Sequence, residues 1–158
     1  MITSIADTVR LSNGNEIPGV GYGTWQITDA SQATEGVKAA ISYGYRHIDT
    51  AAAYGNEEAV GKGIAEALEE NGLTRKDLFI TTKLWKEDFL GAVIEDAETS
   101  TEDLPGLKEA AVAAFETSLA QLGLDYVDLY LIHWPANAKG YDNWREINAI
   151  LWSALEEV

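Results

Sequence analysis

With 158 residues, 46% of them hydrophobic and 23% charged, the chain has the apolar content of a packed globular protein, so a single domain over residues 1–158 is expected and a disordered chain is excluded. Its 26 acidic and 11 basic residues leave a formal charge of −15, which repels a phosphate backbone and an anionic membrane surface alike, so neither nucleic acid nor membrane is an expected partner. Cysteine is absent and the two histidines, His47 and His133, stand far apart without ligand-spaced companions, which excludes disulfides and thiolate chemistry and argues against a metal site.

The segment Met1 to Leu11 lacks the basic and then apolar pattern of a secretory leader, so the cytoplasm is the expected compartment. The first predicted element is a β-hairpin. Thr8 to Leu11 and Glu16-Ile17 form its arms, and Asn13-Gly14 between them supplies the positive φ that a type I′ turn demands. From Val20 onward, short apolar or β-branched runs alternate with longer stretches of helical periodicity, which predicts strands and helices in strict succession. The first strand is expected over Val20–Thr24, and the first helix runs from about Ser31 to Tyr43 with Gly44 closing it. A second strand follows over Arg46–Thr50. The second helix starts near Asn56, a good N-cap, with Glu57 and Glu58 set against the positive helix end, and it fades at Asn71-Gly72.

Leu78–Lys83 is the third expected strand. Lys86 to Gly106 is long and acidic, carries Thr99-Ser100-Thr101 and Pro105, and reads as a surface loop. Leu107, Ala111, Ala114, Phe115, Ser118, Leu119 and Leu122 recur at three- and four-residue intervals, which predicts a third helix ending at Gly123. Tyr126 to His133 is almost continuously apolar, the pattern of a strand buried on both faces, and a last helix is expected over Asn143–Glu157. The succession predicts an α/β fold: a parallel barrel of the TIM type, shortened to about four βα units and preceded by the hairpin, since a closed barrel takes about 250 residues.

Asp49 and Tyr54 lie just past the second strand, Lys83 closes the third and His133 the fourth. In barrels, the C-terminal strand ends form the active face. Each residue alone has a structural explanation: Asp49 capping a turn, Tyr54 packing, Lys83 reaching along the surface, His133 satisfied in the core. Together they make a proton donor for carbonyl reduction. A phenol with a pKa of about 10 is a poor acid at neutral pH, and a neighbouring ammonium favours its phenolate. Lys83 would act in this way on Tyr54, Asp49 would hold the ammonium, and His133 would orient the carbonyl oxygen or the phenol. No side chain donates hydride, so the chemistry requires a nicotinamide cofactor.

Four runs carry a resemblance to a known family. They are Gly21-Tyr22-Gly23-Thr24-Trp25; Gly44-Tyr45-Arg46-His47-Ile48-Asp49-Thr50-Ala51 with Tyr54-Gly55-Asn56-Glu57; Phe79-Ile80-Thr81-Thr82-Lys83-Leu84-Trp85; and Leu122-Gly123-Leu124-Asp125-Tyr126-Val127-Asp128-Leu129-Tyr130-Leu131-Ile132-His133-Trp134-Pro135. In this order they resemble the aldo-keto reductases, in particular the bacterial members of the 2,5-diketo-D-gluconate reductase type, over Val9 to Pro135. The resemblance implies a (β/α)8 barrel that reduces small aldehydes or ketones with NADPH, NADH not being excluded. It implies Tyr54 as general acid, Lys83 and Asp49 as its tuning pair and His133 as the orienting residue. It further implies that Gly23, Thr24 and Asp49 approach the nicotinamide end of the cofactor, and that Trp25, Trp85 and Trp134 line the substrate pocket.

Against that family, Asp88 to Pro105 is an insertion, and the chain is expected to be an N-terminal half, ending before the segments that grip the adenosine end of the cofactor. Half a barrel leaves strand edges and inner faces open, and each exposed Leu or Val forgoes about 1.5–3 kcal/mol of burial. Self-association or a partner chain supplying the second half is therefore expected. The alternative is a non-catalytic half-barrel or a binding subunit in which the four residues are a relic.

Overall fold

The computed structural model describes residues 2–85, 105–137, 139 and 141–158. Its first element is the expected hairpin, with β1 (Thr8–Arg10) antiparallel to β2 (Glu16–Pro18) and Val9 opposite Ile17. The turn differs from the type I′ expectation. Only Gly14 is left-handed, at φ +90°, while Asn13 keeps a negative φ and accepts the Asn15 N–H on its side chain at 3.0 Å. With Leu11 N–H bonded to Asn15 O, the chain makes a three-residue loop closed by a glycine bulge, which spares Asn13 the left-handed region.

Four parallel strands follow in sequential order: β3 (Tyr22–Gly23), β4 (His47–Asp49), β5 (Phe79–Leu84) and β6 (Leu129–Ile132). The helices between and after them are α1 (Ala30–Ser42), α2 (Glu57–Asn71), α3 (Pro105–Leu122) and α4 (Trp144–Glu157). Local sequence sets the helix ends. Asp29 accepts the Gln32 N–H at 2.8 Å and caps the start of α1. At its other end Gly44, with φ +102°, lets Tyr45 N–H reach Ala40 O at 3.0 Å, and Gly72 and Gly123 close α2 and α3 by the same backbone pattern. Residues 86–104, which hold most of the expected acidic loop and insertion, lie outside the described residues.

Parallel strands need both faces covered, and here the outer face is. Ile48 and Ile80 are fully buried against Val37 and Ile41 of α1 and Val60 and Ile64 of α2, while Leu84 packs with Leu107, Ile147 and Leu151 of α3 and α4. Register places Asp49, Thr81 and Leu129 in one row on the opposite, inner face, with Lys83 and Leu131 paired in the next. The expectation of a fourth strand buried on both faces does not hold. Among the described residues β6 is the last strand in the sheet order, and Leu131 on its inner face is 38% exposed, so only its helix side is packed there.

Two residues at the start of α2 also depart from expectation. Asn56 stands at the N-cap position but makes no side-chain capping bond, because its amide is turned into the interior. Glu57 is 1% exposed rather than solvated at the helix end; its carboxylate accepts Thr82 Oγ1 at 2.5 Å and Ser118 Oγ at 3.0 Å, tying α2 to β5 and α3. Removing an acceptor that satisfies two buried hydroxyls is costly, so Glu57→Ala should lower the unfolding free energy by about 2–4 kcal/mol. Exposed Glu58→Ala should change it by less than about 0.5 kcal/mol, and urea denaturation of both variants measures the difference.

Candidate active site

After Asp49 the chain leaves β4, passes Thr50 and enters a single 3-10 turn, Ala52–Tyr54, which Gly55 at φ +66° terminates. This turn brings Tyr54 back beside β5. Lys83, extending from β5, donates to Asp49 Oδ1 at 2.7 Å, to the Thr50 carbonyl at 2.8 Å and to Tyr54 Oη at 3.4 Å. An ammonium carries three protons, and each has an acceptor here. Its side chain is 11% exposed, against 36% for Asp49, so a shielded cation is paired with a carboxylate that still meets solvent. The phenol oxygen accepts from Lys83, and its own O–H remains a donor.

His133 follows β6, held by its N–H bond to Leu84 O at 3.0 Å. Its ring stands edge-on to Tyr54, with centroids 5.6 Å apart, and to Trp85 at 5.3 Å. Burial, and then the Lys83 charge, hold its pKa below the ordinary histidine value, with Asp49 opposing. The ring is therefore neutral at pH 7, with one nitrogen a donor and the other an acceptor. Its Nδ1 is buried and has no hydrogen-bond partner among the described residues. His47 sits two residues before Asp49, bonded through Nε2 to Thr81 Oγ1 at 2.9 Å, and its pKa is lowered chiefly by burial.

The aromatic residues divide. Trp85 lies 5.9 Å from Trp134, which is 63% exposed, and both flank His133, whereas Trp25 is 68% exposed and makes no ring contact among the described residues. Gly23 pairs with Asp49, and a Cβ placed on it meets nothing within 4 Å, so the surface beside the carboxylate is open. Thr24 is fully buried, its N–H bonded to Asp49 O at 3.0 Å and its hydroxyl to Thr50 Oγ1 at 2.9 Å. Sequence reasoning missed Thr50, because a backbone acceptor leaves no mark on residue type. Among the described residues no group of three or more His, Cys, Asp or Glu could hold a metal, and no helix is long and apolar enough to cross a membrane.

The aldo/keto reductase family model matches residues 19–158. Glyoxal reductase of Bacillus subtilis (strain 168) is 48% identical over 150 residues, covering 95% of this chain and 47% of that protein. An uncharacterized oxidoreductase of the same organism, YtbE, is 47% identical over 150 residues, covering 95% of this chain and 48% of its own length. The solved structure of a Bombyx mori aldo-keto reductase in complex with NADP superposes with a TM-score of 0.74 at 36% identity, covering 98% of this chain and 47% of that one. The chain thus spans about half the length of the curated relatives it matches.

Both histidines titrate lower in the folded chain than the ordinary value of 6.5. Between the folded and unfolded values the unfolded chain binds more protons, so this contribution to stability is complete above 6.5 and is lost as pH falls through the folded values. Proton NMR should place both ring midpoints below 6.5, and His133→Gln should flatten the fall in stability on the acid side. A midpoint above that value for either ring contradicts the assigned environment.

Proposed function

The chain belongs to the aldo/keto reductase family, and from that premise we propose that it provides the proton-transfer half of an enzyme reducing small aldehydes or ketones to alcohols with a nicotinamide cofactor. The observation that carries this reading is the Lys83 ammonium shared among Asp49, Thr50 and the Tyr54 phenol. A reduced nicotinamide dinucleotide, NADPH in first place and NADH in second, supplies the hydride when bound. The open surface at Gly23 beside Asp49 suits the flat end of such a group, with Thr24 shaping that surface from within rather than presenting its hydroxyl.

As the carbonyl carbon is reduced, its oxygen gains negative charge, and Tyr54 gives it a proton. The resulting phenolate stands 3.4 Å from the ammonium. At that range a full charge pair is worth about 4–5 kcal/mol at an effective dielectric of about 20. Asp49 and the Thr50 carbonyl keep Nζ in place, so little reorganisation is needed when the phenolate forms. Neutral His133 donates to the carbonyl oxygen and sets its approach. Trp85 and Trp134 form one apolar wall of the pocket and Trp25 another. Two-carbon aldehydes of the glyoxal type are the first substrates to try, since a relative that acts as glyoxal reductase shares 48% of these residues.

Residues 1–158 act as one domain whose inner face works under cover. β3 and β6 each pair on one side only among the described residues, and Leu131 is exposed, so self-association or a partner chain bearing the remaining barrel strands completes the layer. Sedimentation should find the chain associated, and a compact monomer without a partner contradicts this part of the reading. For the chemistry, Tyr54→Phe should reduce turnover of glyoxal by at least about a hundredfold while nicotinamide binding, followed by quenching of tryptophan fluorescence, stays unchanged. Retained turnover in that variant moves the acid elsewhere.

A further inference from the structure

Behind the Lys83 group lies a buried polar cluster centred on Asn56, a residue to which the proton-transfer reading gives no part. Asn56 is 6% exposed. Its Nδ2 donates to the Thr24 carbonyl and to the Ile27 carbonyl, both at 3.0 Å, and its Oδ1 accepts Thr50 Oγ1 at 3.4 Å. Both amide protons are therefore spent on the carbonyls at the two ends of one turn, which Ile27 N–H closes onto Thr24 O at 3.3 Å. Inside that turn stand Trp25 and Gln26.

Gln26 has φ +64°, and among the described residues it is the only non-glycine in the left-handed region. A side-chain-bearing residue persists there only where its surroundings over-determine it, and Asn56 is the group that grips the chain on either side. The turn begins at Thr24, whose N–H is bonded to the Asp49 carbonyl at 3.0 Å, so the exposed Trp25 projects from a segment joined directly to the end of β4.

We infer that Asn56 is a positioning residue that sets substrate specificity, by clamping the strained turn so that Trp25 is held as a fixed wall of the carbonyl pocket. This rests on the reading of Trp25 as a pocket residue. Aspartate keeps the shape of asparagine but has no N–H, and when ionised it sets a negative charge against two carbonyl oxygens. Asn56→Asp thus releases the turn, while the contacts of Lys83 with Asp49, Tyr54 and the Thr50 carbonyl involve no atom of Asn56, which meets Thr50 only at its hydroxyl.

The test uses the full chain labelled with 5-fluorotryptophan, the Trp25 signal being assigned through Trp25→Phe. The fluorine NMR line of Trp25 should be single and sharp in the wild type and broadened or split in Asn56→Asp and in Asn56→Ser, the milder variant should the first fold poorly. Leu151→Ala, a core change in α4 remote from the turn, should lower stability yet leave that line sharp. In steady-state reduction, the KM for benzaldehyde should rise about tenfold in the Asn56 variants with kcat within about twofold, the pattern of lost uniform binding. An unchanged Trp25 line in both variants overturns the inference whatever the kinetics show. A mobilised Trp25 with unchanged KM also overturns it and traces the failure to the reading of Trp25 as a wall. Absence of wild-type turnover removes the proposed function and the specificity role together, while the fluorine line still decides whether Asn56 holds the turn.

Discussion

An ammonium group taken largely out of water has to find an acceptor for each of its protons, and Lys83 finds all three on one short stretch of chain, between Asp49 and Tyr54. Asp49 is the last residue of β4, Thr50 begins the connection after it, and Tyr54 ends the 3-10 turn that follows. An unpaired cation at 11% exposure is costly, so the three partners and the lysine are held to one arrangement. The pairing of Asp49 with Thr81, two residues before Lys83 on β5, places carboxylate and amine on the same face within reach. A slip of one residue in that register sends Lys83 to the helix side and abolishes the group.

The sheet therefore has two chemically distinct faces. Outward, Ile48 and Ile80 are apolar and buried by α1 and α2, which supplies the cohesion, and Thr82 adds a polar contact there, to Glu57. Inward positions include His47, Asp49, Thr81 and Lys83, which carry polar atoms that satisfy one another. Two buried polar side chains at the start of α2 stitch the faces together. Glu57 binds β5 and α3 from the helix side, while Asn56 binds the turn after β3 and the Thr50 hydroxyl. Both sit within three residues of Tyr54, so the same short segment that supplies the proposed acid also anchors α2.

Much of this was legible in the residues. Gly44, Gly72 and Gly123 mark helix ends because a left-handed C-terminal residue disfavours any side chain, and that preference acts locally. The strands are legible as short apolar or β-branched runs between helical stretches, though the paired segments of β3, β4 and β6 are shorter than those runs. Asp49, Tyr54, Lys83 and His133 were legible as a set since each follows or closes a strand. What failed depended on partners distant in sequence. Asn56 and Glu57 have the residue types of a helix start, yet their side chains answer to Thr24, Ile27, Thr82 and Ser118 and turn inward. The inner exposure of β6 was invisible to a run of apolar letters, since burial depends on what lies opposite. The Thr50 carbonyl is a backbone atom and leaves no trace in composition.

In the proposed reaction Lys83 and Tyr54 act as one proton-transfer unit, and a double-mutant cycle tests that most directly. Measured as kcat/KM for a small aldehyde in wild type, Lys83→Met, Tyr54→Phe and the double variant, the double variant should be within about threefold of the slower single variant, because either change alone disables the shared step. If the two losses instead multiply, the residues act independently, and the contact between ammonium and phenol is not the basis of the chemistry.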